Sequence, residues 1–261
     1  MGAGAVIVGA GMAGVSAAFA LRGGGYGDTI TIVADEPHAP YERPPLSKAA
    51  LHADGAHPPA LRAVADYEAA GITLIPALRA VRLNPDAREL DLSDGRALLY
   101  DRLLLATGAA PRPLTVPGAD RGPVRYLRSP EDAAALREVL RPDCRLAIIG
   151  GGLIGLEIAA AARKRGAEVD VFEAASRVLN RGVPQALGNL LAAEHRANGV
   201  RIHLDAGLAG IDWSDAGAML TFADGTASRA DVVIAAIGVA PRTALAEEAG
   251  LAIGNGIVAD D

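Results

Sequence analysis

Two stretches of this chain repeat one another, and the repeat constrains the fold more than any local preference does. Ala5 to Val8 is an apolar run that turns through Gly9, Gly11 and Gly14, continues in an alanine-rich segment to Leu21 and enters a second run, Thr29 to Val33. Leu146 to Ile149, the glycines Gly150, Gly152 and Gly155, a segment to about Arg165 and the run Glu168 to Phe172 follow the same order. A short apolar run, a glycine turn, a helical stretch and another apolar run spell a βαβ unit, so the chain contains two of them. The parallel continues downstream. Asp94-Gly95, Asp101, Leu103 to Leu105 and Thr107-Gly108-Ala109-Ala110-Pro111-Arg112 are matched by Asp224-Gly225, Asp231, Val232 to Ala236 and Ile237-Gly238-Val239-Ala240-Pro241-Arg242. Gly95 to Gly108 and Gly225 to Gly238 are both 13 positions, and each Asp-Gly pair predicts a hairpin turn.

Composition agrees with an α/β nucleotide binder. The chain is 51% hydrophobic with only 3% aromatic residues and 31 glycines, so its core is built from small aliphatic side chains around close backbone approaches. Twenty-five basic against 31 acidic residues give a net charge of −6, which argues against general nucleic-acid affinity. The single cysteine, Cys144, permits no internal disulfide and fits a reducing cytoplasm. Ala5 to Leu21 superficially resembles a signal peptide, yet Met1 to Gly4 carries no Lys or Arg. The other long apolar run, Leu146 to Ala162, is broken by three glycines and Glu157, so no transmembrane helix is expected. Five histidines show no metal-ligand spacing, and no metal is expected.

Gly9-x-Gly11-x-x-Gly14 follows a predicted strand and opens a helix, the context a dinucleotide fingerprint requires. The first glycine turns the chain, the second admits the pyrophosphate to the backbone, and the third lets helix and strand pack closely. The helix N-terminus adds free N–H groups and partial positive charge. After the next strand come Asp35 and Glu36, either of which offers a carboxylate to ribose hydroxyls. In the second copy, Gly150-x-Gly152-x-x-Gly155, the acid is Glu173, 23 positions beyond Gly150. A carboxylate there binds the 2′-hydroxyl of NAD and repels the 2′-phosphate of NADP, so NADH is the expected cofactor; Arg177 or Arg181 would favour NADPH instead. Two dinucleotide sites in one chain imply hydride transfer from nicotinamide to flavin.

Tyr41-Glu42-Arg43-Pro44-Pro45-Leu46-Ser47-Lys48, with Leu105 to Arg112 and Gly150-Gly151-Gly152-Leu153-Ile154-Gly155-Leu156-Glu157, resembles the FAD-dependent ferredoxin reductases of bacterial aromatic-ring dioxygenase systems, putidaredoxin and rubredoxin reductases included. The resemblance covers essentially the whole chain. It implies two Rossmann-like, glutathione-reductase-like units, the NAD unit inserted in the FAD unit: residues 1–114 for FAD, 115–240 for NAD, and 241–261 returning to the FAD unit through a helix around Ala244 to Glu248 and a strand at Gly256 to Ala259. It further implies hydride transfer from NADH to FAD, then single electrons to a [2Fe-2S] ferredoxin that serves a terminal oxygenase.

By the same resemblance Arg43 and Lys48 lie at FAD, Lys48 beside the flavin ring as a catalytic charge; Thr107 and Gly108 bring backbone against FAD, and Arg128 reaches its adenine end. Gly238 holds the corresponding turn of the NAD unit. Ile154 packs near the flavin, and Glu157, the second catalytic residue, orients the nicotinamide amide. Pro44 to Lys48 holds no cysteine where related NADH oxidases and coenzyme A disulfide reductases carry one, which excludes disulfide chemistry there. The basic cluster Arg163-Lys164-Arg165 complements a helix C-terminus and is a secondary candidate for docking an acidic ferredoxin. The family continues past residue 261 into a second FAD segment and a C-terminal domain, so the chain is expected to be a fragment.

Overall fold

A computed structural model describes residues 3–52 and 55–260. Met1, Gly2, Ala53, Asp54 and Asp261 lie outside the described residues, and with them part of the n-region and the end of the return segment. The chain forms two compact units, Met1–Glu42 with Pro59–Ala110 and Pro241–Asp261, and Arg43–Pro58 with Pro111–Ala240.

In the first unit the chain runs β1 (Ala5–Val8), α1 (Met12–Gly23), β2 (Ile30–Val33), α2 (Val64–Ala69), β3 (Ile72–Ile75), β4 (Ala80–Asn84), β5 (Glu89–Leu92), β6 (Ala97–Leu99), β7 (Arg102–Leu105) and β8 (Ala109–Pro111). β3, β2, β1 and β7 make a parallel sheet in that order, and β4 to β6 an antiparallel one with the predicted Asp94-Gly95 turn between β5 and β6. Alternation along the strands explains the layers. Ala5, Ile7, Ile30 and Ile32 face Val15 and Ala18 of α1 and Tyr67 of α2, while Val6, Val8 and Val33 face Leu83, Leu90 and Leu92 of the antiparallel sheet. Both faces of the parallel sheet are therefore covered, which is why its strands read as unbroken apolar runs.

The second unit repeats the plan: β9 (Val124–Arg125), α3 (Pro130–Val139), β10 (Arg145–Ile149), α4 (Leu153–Lys164), β11 (Glu168–Phe172), α5 (Gln185–Ala197), β12 (Val200–His203), β13 (Leu208–Ser214), β14 (Gly217–Phe222), β15 (Ala227–Ala230), β16 (Val232–Ala235) and β17 (Val239–Pro241). Its parallel sheet has the order β12, β11, β10, β16, β9, and β13 to β15 cover one face, with Ile211, Leu220 and Phe222 on Ala147, Ile149 and Val233. The duplication reaches individual bonds. Asp101 accepts from the backbone N–H of Gly4, just before β1, at 2.9 Å, and Asp231 accepts from that of Arg145, at the start of β10, also at 2.9 Å.

Two parts differ from the sequence-based expectation. Residues 43–58, placed above with the FAD stretch 1–114, cluster with the second unit, because the 3-10 turns Pro44–Ser47 and Ala49–Leu51 bury Leu46, Ala50 and Leu51 and pack on α3 and α4. In the return segment the helix forms as α6 (Ala244–Glu248), but no strand forms over 256–259. Gly254 donates to Gly256, Val258 donates to Ala252, and a single Ile253–Ile257 bridge results, so the backbone folds on itself instead of adding to a sheet.

Candidate dinucleotide sites

The six fingerprint glycines divide into three physical roles, the same in both copies. Gly9 and Gly150 have φ of +114° and +110°, and a Cβ on either would stand 2.1 Å from the Ala106 carbonyl oxygen or 2.5 Å from that of Ala236. These positions admit no side chain. Gly14 and Gly155 lie on the first helical turn, where a Cβ would meet the carbonyl oxygens of Gly9 at 1.9 Å and Gly150 at 2.2 Å. Gly11 and Gly152 are the N-caps of α1 and α4, with φ, ψ of −76°, −176° and −79°, −177°, and a Cβ on either would meet nothing within 4 Å. Open space over the middle glycine, at a helix N-terminus that no side chain caps, is the cradle a pyrophosphate fills. Both sites fit a dinucleotide.

In the second unit the cradle opens into a cavity of about 760 Å³, within the range of small-molecule sites. Gly150, Gly152, Ile154, Glu173, Arg181 and Gly238 all line it. Glu173 immediately follows β11, and its carboxylate accepts from the backbone N–H groups of Gly151 at 2.7 Å and Ala175 at 2.9 Å. Two backbone donors hold the acid against the glycine turn while leaving lone pairs for a hydroxyl. The two arginines separate clearly. Arg177 donates to the carbonyls of Leu179, Asn180 and Val183, so it braces the loop, whereas Arg181 lies in the cavity wall.

Glu157, one turn into α4, meets the Pro-Pro segment instead of the cavity. Lys48 Nζ stands 2.8 Å from Glu157 Oε1, and the Ser47 hydroxyl donates to Oε2. Ser47 is buried and the Glu157 side chain is only 19% exposed, against 53% for Lys48, so the acid is fixed and the ammonium reaches solvent. Nearby, Arg43 donates to the Arg128 carbonyl at 2.9 Å. The backbone N–H of Arg128 goes to Asp132, which with Ser129 forms the capping box of α3. Nothing in the sequence reading pointed to Ser47 as Glu157's second partner; its signal was only its place beside Lys48.

In the first unit the ends of the strands carry the predicted residues. Register makes Val8–Val33 equivalent to Ile149–Phe172, so the residue at the position of Glu173 is Ala34, and Asp35 and Glu36 lie one and two residues beyond. Glu36 accepts from the Tyr41 hydroxyl at 2.6 Å. Asp35 Oδ2 pairs with Arg242 Nη1 at 2.6 Å, Thr107 Oγ1 donates to the Arg242 carbonyl at 2.7 Å, and the Arg242 N–H donates to the Gly108 carbonyl at 2.9 Å. Arg242 is the residue that sequence reasoning missed: it figured only as a repeat position, and its partner is 207 residues away. Cys144 is buried, and burial, reinforced by Asp231, pushes its thiol pKa up, so it is a core side chain. Among the described residues no group of three or more metal-ligating side chains forms, and no helix is long and apolar enough to cross a membrane.

Comparison with known proteins was consistent along nearly the whole chain. Residues 4–261 match the family model described as pyridine nucleotide-disulphide oxidoreductase. Rhodocoxin reductase of Rhodococcus erythropolis is 43% identical over 98% of this chain and 60% of its own length. The ferredoxin–NAD(+) reductase component of the p-cumate 2,3-dioxygenase system of Pseudomonas putida is 44% identical over 90% and 58%. Among solved structures, the covalent putidaredoxin reductase–putidaredoxin complex aligns with a TM-score of 0.90 at 41% identity, over 97% of this chain and 62% of that one. The chain thus spans about three fifths of the relatives it matches.

Proposed function

We propose, because this chain belongs to the pyridine nucleotide-disulphide oxidoreductase family, that it is the nucleotide-binding part of an NADH-dependent ferredoxin reductase. The first fingerprint, Gly9, Gly11 and Gly14 with Asp35 or Glu36, would hold FAD, and the second, Gly150, Gly152 and Gly155 with Glu173, would hold NADH. When bound, the pair supplies hydride transfer to flavin followed by release of single electrons. The electron acceptor is a [2Fe-2S] ferredoxin serving an aromatic-ring oxygenase, in line with relatives named as dioxygenase-system reductases. A cytoplasmic setting fits the lone, buried thiol.

The observation that carries this reading is the paired open cradle. Two uncapped helix N-termini, each with a middle glycine facing empty space and an acid near the end of the next strand, are two dinucleotide sites. The chain's own groups then act by holding and orienting. Glu173, fixed by two N–H donors, selects a free 2′-hydroxyl, because a 2′-phosphate would be forced against a carboxylate that cannot swing away. Arg181, a cation in the cavity wall, opposes that preference. Glu157, held by Ser47 and Lys48 one residue before the cavity-lining Ile158, would orient the nicotinamide amide, and Lys48 would offer its positive charge to the flavin. The only cysteine of these 261 residues, Cys144, is buried beside β10, and Pro44–Lys48, which packs on Glu157, holds none. Purified protein supplied with FAD should reduce a [2Fe-2S] ferredoxin with NADH far faster than with NADPH. Equal use of both nucleotides would contradict the Glu173 assignment, and reduction of oxygen alone would contradict the ferredoxin assignment.

A further inference from the structure

Gly151, the position that the fingerprint leaves open between Gly150 and Gly152, is a glycine with no conformational need to be one. The residue is buried and its φ is not positive. What the site lacks is room for a side chain. A Cβ on Gly151 would stand 3.0 Å from Val178 Cγ1, 3.1 Å from Glu173 Cβ and 3.2 Å from Glu173 Oε2, so two of the three nearest atoms belong to the acid after β11. Both peptide groups of Gly151 are also committed. Its N–H donates to Glu173 Oε2 at 2.7 Å, and its carbonyl accepts from the N–H of Leu179 at 2.9 Å. The turn is thus stitched to the acid on one side and to the loop in the cavity wall on the other.

The first unit supplies the comparison. Strand register makes Ala10 equivalent to Gly151 and Ala34 equivalent to Glu173. The N–H groups of Ala34 and Glu173 both donate, at 2.9 Å, to the last residue of the neighbouring strand, Ile75 or His203. Where no acid stands at that position the turn carries a methyl group, and where one does the turn carries none. We infer that Gly151 is a positioning residue for Glu173, whose bare Cα leaves the space the carboxylate needs against the cradle and so sets the preference for a free 2′-hydroxyl. The inference rests on the proposed role of Glu173 at the ribose. A methyl group at 151 is not relieved by a new rotamer of Glu173, because Glu173 Cβ is carried directly by the backbone at the end of β11, a strand paired on both sides. Nor does the turn retreat freely, since its carbonyl is tied to Leu179. The contact between turn and acid must open by a few tenths of an ångström, which slackens one of the two N–H bonds that aim the carboxylate.

The test is fluorescence titration of the purified protein with NADH and, separately, NADPH, with thermal melts to confirm folding. A misplacement of about 1 Å costs about a hundredfold, so a shift of tenths in Gly151→Ala should narrow the preference for NADH over NADPH by about three- to tenfold. Glu173→Ala narrows the preference by removing the acid. Gly151→Ala added to it should leave the ratio where Glu173→Ala put it, although the contact with the Cβ at 173 persists and Tm still falls. If Gly151→Ala does not fold, the same comparison is made in a Val178→Ala background, which removes the nearest contact and keeps the two with Glu173. A Gly151→Ala protein with lower Tm but an unchanged ratio, or an equal further narrowing in the Glu173→Ala background, would overturn the inference and leave Glu173 at the ribose. An unchanged ratio in Glu173→Ala itself would overturn that assignment, and the inference with it.

Discussion

The roles assigned to the fingerprint glycines separate cleanly when each receives one methyl group. Gly155→Ala puts a Cβ 2.2 Å from the Gly150 carbonyl oxygen and 3.3 Å from Ile148 Cγ2. The backbone atom cannot rotate away, so α4 must lift from β10. Overpacking of this kind costs up to about 3 kcal/mol, and the helix propensity of alanine returns about 1. A net loss of about 2 kcal/mol corresponds to about 4–8 °C in Tm for a unit of this size. Gly152→Ala is different, since its φ of −79° suits any residue and its Cβ meets nothing within 4 Å. Losing glycine for alanine at an N-cap costs about 1 kcal/mol or less. The added methyl stands where the pyrophosphate must approach the backbone, so NADH affinity should fall by about tenfold or more, about 1.4 kcal/mol. Thermal melts and NADH fluorescence titration, each at a temperature where the variant is folded, read the two quantities separately. A Gly152→Ala protein that binds NADH as the wild type does would refute the assignment of the middle glycine to the phosphate cradle.

Other consequences are equally specific. Glu173→Ala should weaken NADH binding and relax the preference against NADPH, read from Michaelis constants for both; an unchanged ratio would remove Glu173 from the ribose site. Arg177→Ala should lower Tm by breaking three bonds to loop carbonyls, whereas Arg181→Ala should leave Tm in place and change nucleotide preference only. Burial raises the Asp170 pKa, but hydrogen bonds from Arg201 and His203, at 2.7–2.8 Å, outweigh it and leave the carboxyl below its usual value of 3.8. A depressed folded-state pKa means that this stabilisation is present above about pH 4 and is lost as pH falls through the lower native value. Asp170→Asn should therefore destabilise the second unit at neutral pH, by about 1–3 kcal/mol because Arg201 is half exposed, and flatten the acid limb of a stability–pH curve.

The architecture was legible because its signals are local and repeated. Glycines at fixed spacing, Asp-Gly turns and uninterrupted apolar strands each state their geometry within a few residues, and the second copy checks the first. What stayed hidden depends on distance. Arg242 and Asp35 pair across 207 residues, and the place of each in the repeat gives no sign of the other. The segment Arg43–Pro58 joins the second unit through the burial of Leu46, Ala50 and Leu51, a packing choice that no motif announces. The failed strand at 256–259 shows the opposite error: apolar residues suited to a strand lie on either side of Gly254 and Gly256, which let the chain bond to itself, with Gly256 at φ +146°. Within the site, Glu173 was visible from its 23-residue offset, while the choice between Arg177 and Arg181 required knowing which guanidinium the loop carbonyls had already claimed.

The central claim is that the two cradles hold FAD and NADH and that electrons pass from one to the other. The most direct test is the visible absorption of the FAD-loaded protein under anaerobic conditions, recorded before and after NADH and, separately, NADPH. The account predicts that the flavin band bleaches with NADH and changes far more slowly with NADPH. A flavin band that persists although NADH is bound would contradict it.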